Sequence, residues 1–166
     1  MKPSKIKALK AKKALLLFPG IRALTWKGTV YCKRKSDIEL INATDDITSD
    51  FECHELIHVR QAESTKNSWF RFYALYLWYW IKNLPLVITG IRIPYYFIPF
   101  ELEAINNEMF RKYPTNGPVY QWKDFKRIKF KDKYKLARRY NNLYKPKMIS
   151  FKEFVRTVVR LSIENG

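Results

Sequence analysis

The sequence predicts an α+β fold: a short N-terminal β-sheet followed by helices. Three observations carry this. Short apolar runs broken by Pro and Gly crowd residues 15–35. A capping pattern, Ser49-Asp50-Phe51-Glu52, opens the segment that follows. Near the end, Ser150 and Glu153 repeat that pattern ahead of Phe151, Phe154, Val155, Val158 and Leu161, which share one helical face. At 166 residues the chain suffices for one cored domain with extensions. We expect a basic arm over 1–14, a central domain over 15–113 and a basic, aromatic-rich extension over 114–166.

The start, Met1 to Lys13, carries six lysines and reads as a solvated, partly helical arm. The apolar run behind it, Ala14 to Phe18, is too short for the core of a signal peptide, and no transmembrane span follows. The expected location is cytoplasmic or virion-associated, with peripheral membrane contact as a variant. Leu15 to Phe18, a Pro19-Gly20 turn, Arg22 to Trp26 and Thr29 to Lys33 around Gly28 have strand character, and Ile38 to Asn42 is a further short apolar run. That makes two to four strands.

The helix opened by Ser49 carries His54-Glu55-Leu56-Ile57-His58, an HExxH motif holding the only two histidines of the chain. Positions i and i+4 share a helix face, so both imidazoles can reach one ion. Glu55 lies about 100° round the helix, where a general base for a metal-activated water belongs. Phe51, Leu56, Val59 and Ala62 supply apolar contacts for the same helix. A third ligand must be a carboxylate or a thiol. Pro99 suits a first helical turn, so Phe100 to about Lys112 reads as a helix that Pro114 and Asn116-Gly117 end. On it Glu101, Ile105 and Glu108 share a face and Glu103 points away. The residues alone leave Glu101 and Glu103 both open as the ligand.

His54-Glu55-x-x-His58 followed by Phe100-Glu101-Leu102-Glu103-Ala104 resembles the gluzincin pattern of zinc metallopeptidases. More narrowly, the chain is similar to small, uncharacterised zincin-like proteins of Bacteroidetes-type bacteria and their phages. The match runs from Phe51 to Glu108, about a third of the chain. The resemblance implies a zincin-like domain, a Zn2+ cofactor, metal ligands His54, His58 and Glu101, and Glu55 as the catalytic base of peptide hydrolysis. It also implies a sheet edge lining the substrate cleft. The chain departs from the pattern at Ile105, where an acid that orients a metal-bound histidine normally stands. Glu108 is the candidate replacement, although a solvated helix charge is the preferred reading of it.

Cys32 and Cys53 offer a rival Cys2His2 site or a disulfide, but adjacent Cys53 and His54 diverge on a helix, and two plain buried thiols are the favoured reading. The aromatic stretch Asn67 to Lys82 is apolar on nearly every face. It suggests a helix buried all round as core and substrate-side wall, or one touching a membrane interface.

The net charge of +17 is uneven. Asp37 to Glu63 holds eight acids and one base, which leaves 31 bases and 7 acids elsewhere. An acidic island favours a cation and disfavours a strongly anionic substrate beside it. Val119 to Lys147 carries eleven bases against two acids, interleaved with aromatics. Nucleic acid or an anionic membrane is the candidate partner of this segment and of the basic N-terminal arm; for the segment, aromatics packed inward under solvated lysines is the plainer reading. The functional expectation is therefore a zinc metallopeptidase acting on peptide or protein. Its alternative is a catalytically silent zincin-fold interaction protein, such as a phage virion component, whose basic surface binds nucleic acid, anionic membrane or a protein partner.

Overall fold

The computed structural model describes residues 7–10, 22–43, 46–118 and 121–159, and its fold is α+β, with a small three-stranded sheet ahead of the helices. The chain divides into two compact units, one of Met1–Trp69 and Asn107–Val119, the other of Phe70–Asn106 and Tyr120–Gly166.

In the first unit, β1 (Lys7–Lys10), β2 (Ala23–Trp26) and β3 (Thr29–Cys32) form a sheet of order β1-β3-β2. β2 and β3 are an antiparallel hairpin in which Trp26 pairs with Thr29. Its two-residue turn has positive φ at both Lys27 (47°) and Gly28 (75°). That is the turn whose twist matches the strands. β1 lies parallel to β3. The expected arm thus contributes a strand at Lys7–Lys10, because Ala8 can bury against Val30, Cys32 and Ile41. The expected strand at Leu15 to Phe18 and its Pro19-Gly20 turn lie outside the described residues.

The run Ile38 to Asn42 belongs not to a strand but to α1 (Lys35–Ala43). Ile38 and Ile41, three residues apart, meet the core from one helical face. Asn42 then ties α1 to β1: its side-chain amide accepts from the Ala8 N–H and donates to the Ala8 carbonyl, both at 3.1 Å. Asp37 receives the guanidinium of Arg22 at 3.0 and 2.6 Å. α2 (Asp50–Ser64) follows, its N-terminus closed by Ser49 Oγ accepting from Glu52 N. Glu52 reaches back to the N–H of Thr48. Phe51, Leu56 and Val59 of α2 pack on the sheet core.

The second unit holds α3 (Trp69–Asn83, counted from Phe70), α4 (Pro99–Asn107) as far as Asn106, and α5 (Phe130–Arg139). Its core gathers Leu86, Phe97, Leu102, Ile105, Phe125, Phe154 and Val155. The aromatic helix α3 is not buried all round. Phe72, Tyr76 and Tyr79 meet Phe100 at ring distances of 4.9, 6.3 and 6.2 Å, whereas Phe70, Leu77, Trp78 and Ile81 are exposed. A single helix can seat only the stripe that faces its neighbour. Among the described residues no helix is long and apolar enough to cross a membrane.

In the basic segment Trp122 and Phe125 are buried, and Tyr134, Tyr140 and Tyr144 pack against the core, with Phe130 the exposed exception. Ser150 caps the last helix by accepting from Glu153 N, and Phe151, Phe154, Val155 and Val158 are buried as their spacing predicts. Leu161, expected on the same face, lies outside the described residues.

Lys133 is buried, donating to Asn83 Oδ1 at 2.9 Å and to the Phe97 carbonyl at 3.2 Å. Burial pushes its amine down from 10.5 to about 8. Between those values the unfolded chain binds the extra proton, so stability rises with pH. The buried thiols Cys32 and Cys53, pushed up to about 12, act in the opposite sense above their ordinary value of 9.0. From about pH 7 to about pH 9 the folded protein should gain about 1 kcal/mol through Lys133. Urea midpoints across that range should show the gain in the native chain and not in Lys133→Gln.

Candidate metal centre

The HExxH motif lies in the middle of α2, where His54 and His58 stand one turn apart and both are buried. Each ring is held at its inner nitrogen. His54 Nδ1 lies 2.9 Å from Glu108 Oε2, and His58 Nδ1 lies 2.7 Å from Gln61 Oε1. A carboxylate and an amide oxygen only accept, so both Nδ1 atoms carry the proton. Both Nε2 atoms then present lone pairs, and they face each other at 3.2 Å with the rings nearly perpendicular at 87°. Two lone pairs at that separation repel unless a cation sits with them. Histidine metal ligands show the same arrangement, with the far N–H given to an oxygen that fixes tautomer and ring orientation.

Glu108 lies just beyond α4 and is completely buried. The preferred reading of it as a solvated charge is therefore wrong. The helix expected to run to about Lys112 stops at Asn107, where Asn106 Nδ2 donates to the Leu102 carbonyl and loosens the last turn. The chain after it is held against α2 by polar contacts. Arg60 donates to the carbonyls of Tyr113, Pro114 and Gly117. Arg111 pairs with Asp50 at 2.6 Å and donates to the Glu108 carbonyl at 2.9 Å. Gly117 is needed there, since a Cβ would stand 2.6 Å from the Tyr113 ring.

Glu101, on α4, is buried and accepts from the Tyr76 hydroxyl at 2.8 Å. Burial, with Glu101 beside it, holds that phenol well above its usual value, so it stays a donor. His54, His58 and Glu101 make up a buried group that could hold a metal ion, one ligand atom from each lying within 4.8 Å of the others. Two imidazole nitrogens and a carboxylate oxygen suit such an ion. Glu103, the competing candidate, instead accepts the N–H of Trp122 at 3.1 Å. Cys32 and Cys53 are free thiols rather than a disulfide, both buried. With their pKa raised by burial they are poorly suited to ligate, and Cys53 points to the carbonyls of Asn107 and Phe110.

Glu55 is buried, and its Oε2 accepts from the hydroxyl of Thr25 on β2. Thr25, Gln61 and Tyr76 are the site residues that sequence reasoning missed. Gln61 had a signal, three residues after His58 on the same helix. Tyr76 was hidden among aromatics, and Thr25 is linked to Glu55 only through the folding of the sheet onto α2. No family model, curated protein or solved structure matches the chain.

If Glu108 and Gln61 orient the imidazoles, Glu108→Gln and Gln61→Leu should each weaken metal binding roughly 10–100-fold. Competition against a coloured chelator measures this, with circular dichroism to show that the helices persist. Unchanged affinity in both variants would rule the orienting role out.

Proposed function

We propose that this chain is a zinc-dependent metallopeptidase. The observation that carries the reading is the pair of imidazoles turned Nε2 to Nε2, each fixed from behind, with Glu55 between them in sequence and Glu101 completing the group. Two histidines and one glutamate are a usual protein ligand set for catalytic zinc, which leaves one position for water or substrate. The surroundings favour a dication. Glu55, Glu101 and Glu108 are all buried, and carboxylates removed from water demand compensation. Zinc, when bound, activates water and polarises the carbonyl under attack.

The chain's own residues supply the rest. Glu55 accepts the proton of the attacking water and passes it to the departing amine. The Thr25 hydroxyl holds that carboxylate in one orientation. Tyr76 does the same for Glu101, and Glu108 and Gln61 do so for the two imidazoles. β2, which carries Thr25, is an edge strand of the sheet among the described residues. An extended peptide is the substrate shape that such an edge accepts, by adding a strand.

Elemental analysis of untagged protein should find about one zinc per chain, lost in Glu101→Ala. Glu55→Gln should keep the metal and lower hydrolysis of a denatured protein substrate by roughly 10²–10⁴-fold. A folded protein that takes up no zinc, or a Glu55→Gln variant with undiminished turnover, would refute the proposal.

A further inference from the structure

α3 has one face too many. Phe72, Tyr76 and Tyr79 face inward. Phe70, Leu77, Trp78 and Ile81 fall at helical spacing on an opposite, exposed stripe. The stripe is continued in sequence by Ile88 and Ile91, 77% and 85% exposed. Isolated exposed apolar residues are ordinary; a run of this length marks a surface that meets something apolar.

The charge around it identifies the occupant. From Ser64 to Phe100 there is no acid, while Lys66, Arg71, Lys82 and Arg92 are spread along the segment. Lys82 lies over the Trp78 ring, its Nζ 4.8 Å from the centroid. Apolar side chains and indoles bordered by bases match the interface of a bilayer, with acyl chains below and anionic headgroups above. A second copy of the chain would bring another charge of +17 against the first. With no helix able to cross a membrane among the described residues, the geometry points to a chain that lies on an anionic lipid surface through α3 and the segment following it. This inference is independent of the metal centre.

The test is co-sedimentation of the full chain with vesicles of phosphatidylcholine alone and of phosphatidylcholine with about 30% phosphatidylserine. Binding to the anionic vesicles should be at least about tenfold tighter than to the neutral ones and should weaken with salt. Leu77→Glu with Ile88→Glu should lower that binding about tenfold or more with the helical spectrum retained. Ile91→Glu, in a turn outside any helix, should act in the same direction, which guards against a folding defect in the first variant. Two results would overturn the inference. Variants that bind like the native chain would show adsorption by general basic charge. Native chains that form dimers without lipid, dissolved by the same substitutions, would show that the stripe belongs to a second copy.

Discussion

The hydrogen bond from His54 Nδ1 to the wholly buried carboxylate of Glu108 is the contact on which the first unit depends. A carboxylate out of water is costly unless hydrogen-bonded and offset by positive charge. Glu108 is kept in place by a chain segment that polar contacts hold against α2. Arg60 and Arg111 hold that segment through carbonyl oxygens and Asp50. The same bond fixes which nitrogen of His54 carries its proton, and so which one faces His58. Structure and candidate chemistry meet in one contact, and neither is understandable without the other.

The departure at Ile105 takes on physical sense in this light. In the gluzincin pattern that this chain resembles, an acid at the position of Ile105 would stand behind His54; here that side chain belongs to the apolar core of the second unit. The acceptor comes instead from Glu108, past the end of the helix, where the backbone has turned. Gln61 serves His58 from within α2 itself, and a neutral amide there avoids placing a further buried carboxylate beside Glu55 and Glu108.

Local chemistry was legible in the sequence, and long-range pairing was not. The Ser49 cap, the two histidines one turn apart, the hairpin around Gly28 and the buried face of the last helix follow from contacts within a few residues. Ile38 to Asn42 was ambiguous because a short apolar run fits a strand or a helix until its partner is known. The strand at Lys7–Lys10 was obscured by its lysines, since only Ala8 faces inward. Thr25 could not be read at all, and Glu108 only as the candidate replacement that the resemblance suggested, against the plainer reading of a solvated charge. Their partners lie 30 and 54 residues away, and no periodicity links them.

The interleaved order of the two units has a consequence for biosynthesis. The histidines and Glu55 leave the ribosome early, but the segment that orients His54 follows only after residues 70–106 have been made. Closing a loop of that length costs entropy, which the His54–Glu108 contact can offset only once both partners have been made. Until then His54 lacks its acceptor and its tautomer is unfixed. Nascent chains therefore carry the motif before the contact that orients His54 exists.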